Sequence, residues 1–175
     1  NSDWIIGYNE PDRRAASPFD AAIAWRIVED RFPDKRLVAP GTVQGGWLWL
    51  TDFYDEYGAL FRGPPRMDAL SLHCYYYTAD DCIVQLRALE EVGNQWGINE
   101  IWVTEMGAPY GDCSSDWKEI RKFTAELERD SRVTHYAWYQ NRIVGNEPWI
   151  PSYWCNLSLV DFSTGQLTIY GELYK

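Results

Sequence analysis

The sequence contains no run approaching the roughly 20 consecutive apolar residues that a bilayer-spanning helix needs, so no membrane partner is expected. Positive charge is scarce: 16 Lys and Arg stand against 26 Asp and Glu, a formal net charge of −10, and the basic residues form no stripe. Phosphate-backbone recognition depends on clustered Lys and Arg, which excludes nucleic acid and leaves a neutral substrate as the better fit. No glycine-rich phosphate fingerprint follows the first apolar run, which argues against a nucleotide-binding doubly wound sheet. The chain has only two His, and its four Cys (Cys74, Cys82, Cys113 and Cys155) show neither a C-x-x-C pair nor a nearby His pair. That spacing excludes a familiar zinc site, and no other ligand cluster suggests a metal or an organic cofactor.

Aromatics, by contrast, are in excess. Ten Trp and twelve Tyr are more than a core of this size requires. Their rigid, amphipathic rings fill cores, and they also line grooves for flat ligands with polar edges, sugar rings among them. Two weaker signs point outside the cell. Asn156-Leu157-Ser158 is an N-glycosylation sequon, and an even number of Cys suits disulfides, with three pairings open. A secreted or cell-wall location is the expectation.

Five short runs rich in β-branched and aromatic residues read as strands: Trp4–Tyr8, Arg36–Ala39, Ala69–Tyr75, Glu100–Glu105 and Val133–Tyr139. They recur every thirty-odd residues, with helical patterns between them. Ser17-Pro18 supplies an N-cap and a proline at the first helical position, opening a segment with Ile23, Ala24, Ile27 and Val28 on one face. Trp47 to Phe61 is a second helical segment. Thr78 with Asp81 resembles a capping box ahead of Ile83, Leu86 and Leu89. Ser114 or Ser115 caps a fourth helix with Trp117, Ile120, Phe123 and Leu127 as its buried stripe. The alternation predicts an α/β fold with a parallel sheet. A (β/α)8 barrel uses about 250 residues, roughly 31 per unit, which matches the recurrence. Five strands do not close such a barrel, so the expectation is one domain over residues 1–175 that forms the last five units of a barrel.

Chemistry in such barrels lies where the strands end at their C-terminal side. The first strand ends in Asn9-Glu10-Pro11-Asp12, the third in His73-Cys74-Tyr75, the fourth in Thr104-Glu105 and the fifth in Trp138-Tyr139. Two carboxylates, an imidazole and aromatic platforms on one rim are what glycoside hydrolysis requires: one carboxyl group protonates the leaving oxygen, and the other attacks the anomeric carbon or activates water. Asn146-Glu147-Pro148 repeats the Asn9–Pro11 tripeptide, but it lies beyond the last strand among Gly145, Pro148 and Pro151 and reads as a surface turn. His73 is either a satisfied core histidine or a sugar contact. Trp138 is either packing or a platform under the sugar.

The stretches GYNEPD, LVAPG, LSLHCYY, IWVTEMG, YAWYQ and LSLVDFSTGQLTIYGELYK occur in an order that resembles glycoside hydrolase family 128, the glycosyl hydrolase catalytic core related to alkali-sensitive-linkage proteins. The resemblance runs over nearly the whole chain, from the family's fourth barrel strand to its C-terminus. It implies a (β/α)8 TIM barrel with strands 4 to 8 present here and the first three β-α units absent. It also implies a retaining β-1,3-glucanase, endo- or exo-acting, with Glu10 as acid/base and Glu105 as nucleophile. Asn9 would hold the nucleophile or the sugar 2-hydroxyl, while His73, Tyr75 and Trp138 would shape the subsite at the cleaved bond. Cys74 stands where an aromatic often follows the His. The implied partner is β-1,3-glucan or its oligosaccharides, with the missing N-terminal part of the barrel as a further one, and neither cofactor nor metal is called for. Two other readings stand beside this one: a non-catalytic glucan-binding wall protein or inactive barrel fragment, and a related enzyme acting on another β-glycan.

Overall fold

A computed structural model describes residues 2–43, 45–75, 78–107, 116–139, 141, 158–161 and 163–174. Its elements run β1 (Trp4–Ile6), α1 (Pro18–Arg31), β2 (Arg36–Val38), α2 (Trp47–Phe61), β3 (Leu70–Tyr75), α3 (Ala79–Trp96), β4 (Ile101–Gly107), α4 (Asp116–Arg129), β5 (Val133–Trp138) and α5 (Ile169–Tyr174). All five expected strands form, each a little shorter or shifted at its ends. No described helix is long and apolar enough to cross a membrane.

The strands are parallel and lie side by side in chain order. β1 pairs with β2, β3 with β4 and β4 with β5. The bridges Val38↔Ala69 and Thr42↔Leu72 join the two groups, reinforced by the Ala39 amide donating to the Ala69 carbonyl at 2.8 Å. Parallel neighbours need a crossover, and each crossover here carries a helix. The sheet is curled. Trp4 on β1 and Trp102 on β4 pack with ring centroids 4.7 Å apart, although three strand spacings in a flat sheet would separate their backbones by roughly 14 Å. Arg36 on β2 likewise reaches Glu100, just before β4, at 2.7 Å. The described strands do not close into a barrel; β1 and β5 are the edges of an open, concave sheet.

Alternation along the strands sorts the side chains. Leu37, Leu70, Leu72, Cys74, Ile101, Val103 and Met106 pack in the main core with the helices, whereas Val38, Ala69 and Trp102 form a second, small cluster against Trp4. Ser17 caps α1 through the Asp20 amide with Pro18 at the first position, and Thr78 caps α3 through the Asp81 amide, as the sequence indicates. The buried stripes of α3 and α4 are also the expected ones, with Leu86, Leu89, Ile120, Phe123 and Leu127 all buried.

The buried face of α1 is a correction. Ala21, Ala22 and Trp25 go inside, and Ile23 and Ile27 stay exposed, at 42% and 63%. Val28 belongs to both helical patterns and is partly buried. The two stripes overlap, and the larger apolar area of Trp25 settles which faces in. Its ring is fully buried against Tyr8 and Phe53, and its indole N–H donates to the Arg66 carbonyl at 3.2 Å.

Cys74 and Cys82 are joined in a disulfide that fastens β3 to the first turn of α3. Cys113, Cys155, the Ser114 and Ser115 capping candidates, Asn146–Pro148 and Asn156 of the sequon lie outside the described residues.

Candidate active site

The end of β1 is carried forward by a ladder to the segment after β2. Gly7 donates to the Val38 carbonyl at 3.0 Å, Gly41 to the Tyr8 carbonyl at 2.9 Å, and Glu10 to the Gly41 carbonyl at 2.8 Å. Glu10 itself adopts φ 48, the left-handed region that a residue with a side chain seldom occupies and that costs of order 1–3 kcal/mol. Pro11 disfavours the right-handed helical conformation for the residue before it. The chain then turns, with Arg14 donating to the Glu10 carbonyl at 3.1 Å. Asp12 fixes the turn to the loop after β2 by accepting from the Val43 amide at 3.1 Å. The Glu10 carboxylate thereby comes to lie over β3, mostly buried, with Oε1 3.2 Å from His73 Nδ1. Arg13, largely exposed, stands 3.8 Å from Oε2.

Glu105 depends on an irregularity in β4. Leu72 pairs with Val103, but His73 pairs with Glu105, so β4 holds one extra residue at this point. Such a bulge re-aims side chains. Thr104 meets Ser71 at 2.7 Å between hydroxyl oxygens, and Glu105, its immediate neighbour, still turns to the same side. There it accepts the Tyr75 hydroxyl at Oε2, 2.7 Å, and lies 3.5 Å from His73 Nδ1. Burial first, and the Glu105 charge second, raise the Tyr75 phenol well above the ordinary tyrosine range, so it remains a hydrogen-bond donor.

His73 Nδ1 thus faces both carboxylates. Carboxylates accept hydrogen bonds, so the contacts call for a ring with its proton on Nδ1. The ring is 2% exposed. An oxygen of Glu10, an oxygen of Glu105 and the His73 nitrogen all lie within 4.8 Å of one another. Three such atoms could also face one cation, and among the described residues no other His, Cys, Asp and Glu group is gathered this closely.

The other expected site residues are placed differently. Asn9 is exposed; its backbone bridges to Gly41 and its side chain does not hold Glu105. Trp138 pairs with Met106 across β4 and β5 and is 8% exposed, stacked on Tyr170 and packed in the helix layer with Ile120 and Phe123. It is therefore turned away from the carboxylates. Its neighbour Tyr139 takes the position beside them, edge-on to Tyr75 at 5.9 Å. The sequence offered both as consecutive aromatics at a strand end, and only the register with Met106 separates them. Gly41 and the Ser71–Thr104 pair also support the site. The proline-glycine after β2 was the one sequence signal that could have drawn attention to Gly41.

The glycosyl hydrolase catalytic core family model matches residues 1–174. No curated protein matches the chain. Among solved structures, a curdlan-specific exo-β-1,3-glucanase of glycoside hydrolase family 128 from Blastomyces gilchristii, in complex with glucose, is similar in fold with a TM-score of 0.78 at 24% identity, over 100% of this chain and 70% of that one. A family 128 endo-β-1,3-glucanase from Pseudomonas viridiflava is 25% identical with a TM-score of 0.74, over 98% and 68%. A family 128 oligosaccharide-binding protein from Cryptococcus neoformans is also 25% identical, with a TM-score of 0.71 over 98% and 66%. This chain belongs to the glycosyl hydrolase catalytic core family, and its fold is similar to that of solved proteins of glycoside hydrolase family 128.

Proposed function

We propose that the chain carries the reacting carboxylates of a retaining β-1,3-glucan hydrolase, with Glu105 as nucleophile and Glu10 as acid/base. The observation that carries this is the separation of the two groups, with one oxygen of each within 4.8 Å. Retention calls for carboxyl groups about 5–5.5 Å apart and inversion for roughly 6.5–9.5 Å. The role of Glu105 rests on the Tyr75 hydroxyl, which bonds and favours an anionic oxygen. Glu105 attacks the anomeric carbon as Glu10 gives a proton to the departing glycosidic oxygen. Glu10 then takes a proton from the water that releases the sugar from Glu105. In this reading Tyr139, Tyr75 and Asn9 contact the sugar and Trp138 serves packing, which the contact of Tyr139 with Tyr75, the exposure of Asn9 and the burial of Trp138 support.

The curled sheet is taken as part of an eight-stranded barrel, strands 4 to 8, whose concave face is completed by further strands. The Cys74–Cys82 disulfide and the sequon support a secreted or cell-wall location.

The test is hydrolysis of laminari-oligosaccharides by the wild type and by the Glu10→Gln and Glu105→Gln variants, with the anomer released first read by proton NMR. Loss of activity in both variants and first release of the β-anomer are expected. First release of the α-anomer would overturn retention, and full activity in either variant would overturn the residue assignment. A second reading, glucan binding without cleavage, has its support in the similarity to the Cryptococcus neoformans oligosaccharide-binding protein. Binding of the oligosaccharide by wild type with no new reducing ends would select it.

A further inference from the structure

Gly41 lies just beyond β2, and its backbone is not in the left-handed region, so its conformation alone does not call for glycine. What calls for it is the neighbouring ring. A Cβ at this position would stand 2.7 Å from His73 Nε2, 3.2 Å from its Cδ2 and 3.3 Å from the Ser71 hydroxyl. The first distance is shorter than any carbon–nitrogen contact a folded protein tolerates. The imidazole cannot yield as a flexible side chain would. It is planar and 2% exposed, and its opposite side is committed, with Nδ1 3.2 Å from Glu10 and 3.5 Å from Glu105. The backbone of Gly41 is equally committed, because its carbonyl accepts the Glu10 amide at 2.8 Å and its amide donates to the Tyr8 carbonyl at 2.9 Å. The next residue holds β3 in place, since the Thr42 carbonyl accepts the His73 amide at 2.8 Å.

We infer that Gly41 is a positioning residue: its missing side chain is the seat of the His73 imidazole, and through that ring it sets where both carboxylates stand. The consequence for catalysis rests on the proposed function above, whereas the seating of the ring does not.

The experiment therefore has one arm that needs no activity. The chain has two His, so imidazole carbon–proton correlations give two signals, assigned with a His135→Gln variant. In Gly41→Ala the His73 signal is expected to move and the His135 signal to stay. On laminari-oligosaccharides, kcat is expected to fall between about ten- and a hundredfold with KM changed less than about threefold, the pattern of a misplaced reacting group. A thermal cycle with His73→Ala guards against a variant that does not fold. Removing the ring removes the clash, so Gly41→Ala is expected to lower Tm in the wild-type background and to have little effect in the His73→Ala background.

An unmoved His73 signal, unchanged kcat, or equal Tm losses in both backgrounds would overturn the inference. If the wild type cleaves no glucan, the proposed function fails, and the ring signal and thermal cycle still decide whether Gly41 seats the ring.

Discussion

The Tyr75 hydroxyl donates to Glu105 Oε2 at 2.7 Å, and the two side chains come from adjacent parallel strands. Tyr75 cannot relieve Glu105 of its charge by ionising, because burial and the carboxylate together hold the phenol neutral far above the working pH range. The bond is therefore a fixed donor to the charged form. Tyr75→Phe removes only that oxygen. A hydrogen bond to a charged group contributes about 1.5–3 kcal/mol, so kcat on laminari-oligosaccharides should fall about ten- to a hundredfold. Because the phenol stays protonated, the wild-type pH–rate profile should show no alkaline limb that Tyr75→Phe abolishes. A variant with unchanged kcat would remove Tyr75 from the site.

The disulfide between Cys74 and Cys82 closes a short loop of sequence separation 8, and Cys74 sits between His73 and Tyr75 on β3. Constraining a loop of that length contributes about 2.5 kcal/mol in the chain-entropy account. In a Cys74→Ala/Cys82→Ala variant Tm should drop by several degrees. Because both flanking residues belong to the site, activity should fall at temperatures where the far-ultraviolet circular dichroism is still native. Parallel loss of activity and of secondary structure would mean that the bridge serves global stability alone.

How far the sequence discloses this molecule depends on what each feature rests on. Strands and helices follow from periodicity and caps, which are local, and Ser17, Pro18 and Thr78 mark their helices correctly. Glu10, His73 and Glu105 were legible because they lie toward or just past the C-terminal ends of apolar strands, which neighbouring parallel strands bring together, whereas the bulge in β4 that aims Glu105 was not. What was not legible turns on alternatives of equal local merit. α1 offers two overlapping apolar stripes, and only packing of Trp25 against Phe53 separates them. Trp138 and Tyr139 are both aromatic and adjacent, and their faces are fixed by a register shift on β4. The pairing of Cys74 with Cys82 is a property of assembled strands with no trace in residue order, and the proline-glycine after β2 marks Gly41 without disclosing that the His73 ring lies against it.

Away from the carboxylates, Glu100 gathers a second polar group on the chain. It accepts from Arg36 at 2.7 Å, Trp102 at 2.9 Å and Thr134 at 2.7 Å. Burial pushes its carboxyl group up, but the Trp102, Thr134 and Arg36 contacts outweigh it, and the net shift is downward. A carboxyl group that binds its proton less readily folded than unfolded stabilises the fold above its unfolded value, about 4.3, and loses that contribution as pH falls through its lower folded value. Glu100→Gln should therefore lower Tm at pH 7. The gap to wild type should stay constant down to about pH 5 and narrow below about pH 4. A gap that is the same at pH 3 and pH 7 would show that Glu100 acts through packing and not through its charge.

Trp138 and Tyr139, neighbours in the chain, should separate cleanly by experiment. Trp138 is buried among Tyr170, Tyr174, Ile120 and Phe123, and truncating a buried aromatic costs about 3–5 kcal/mol. Trp138→Ala should therefore lower Tm by roughly 10 °C, at some 2–4 °C per kcal/mol for a domain of this size. At temperatures where the variant is folded, its KM should stay close to wild type. Tyr139 is half-buried, edge-on to Tyr75 on the side of the carboxylates. Tyr139→Ala should cost less stability and raise KM for laminari-oligosaccharides, because stacking area offered to a sugar is lost from binding before it is lost from the fold. Differential scanning calorimetry and initial-rate kinetics on the two variants decide the matter. A large KM increase in Trp138→Ala with Tm unchanged would reverse the assignment and return the platform role to the tryptophan.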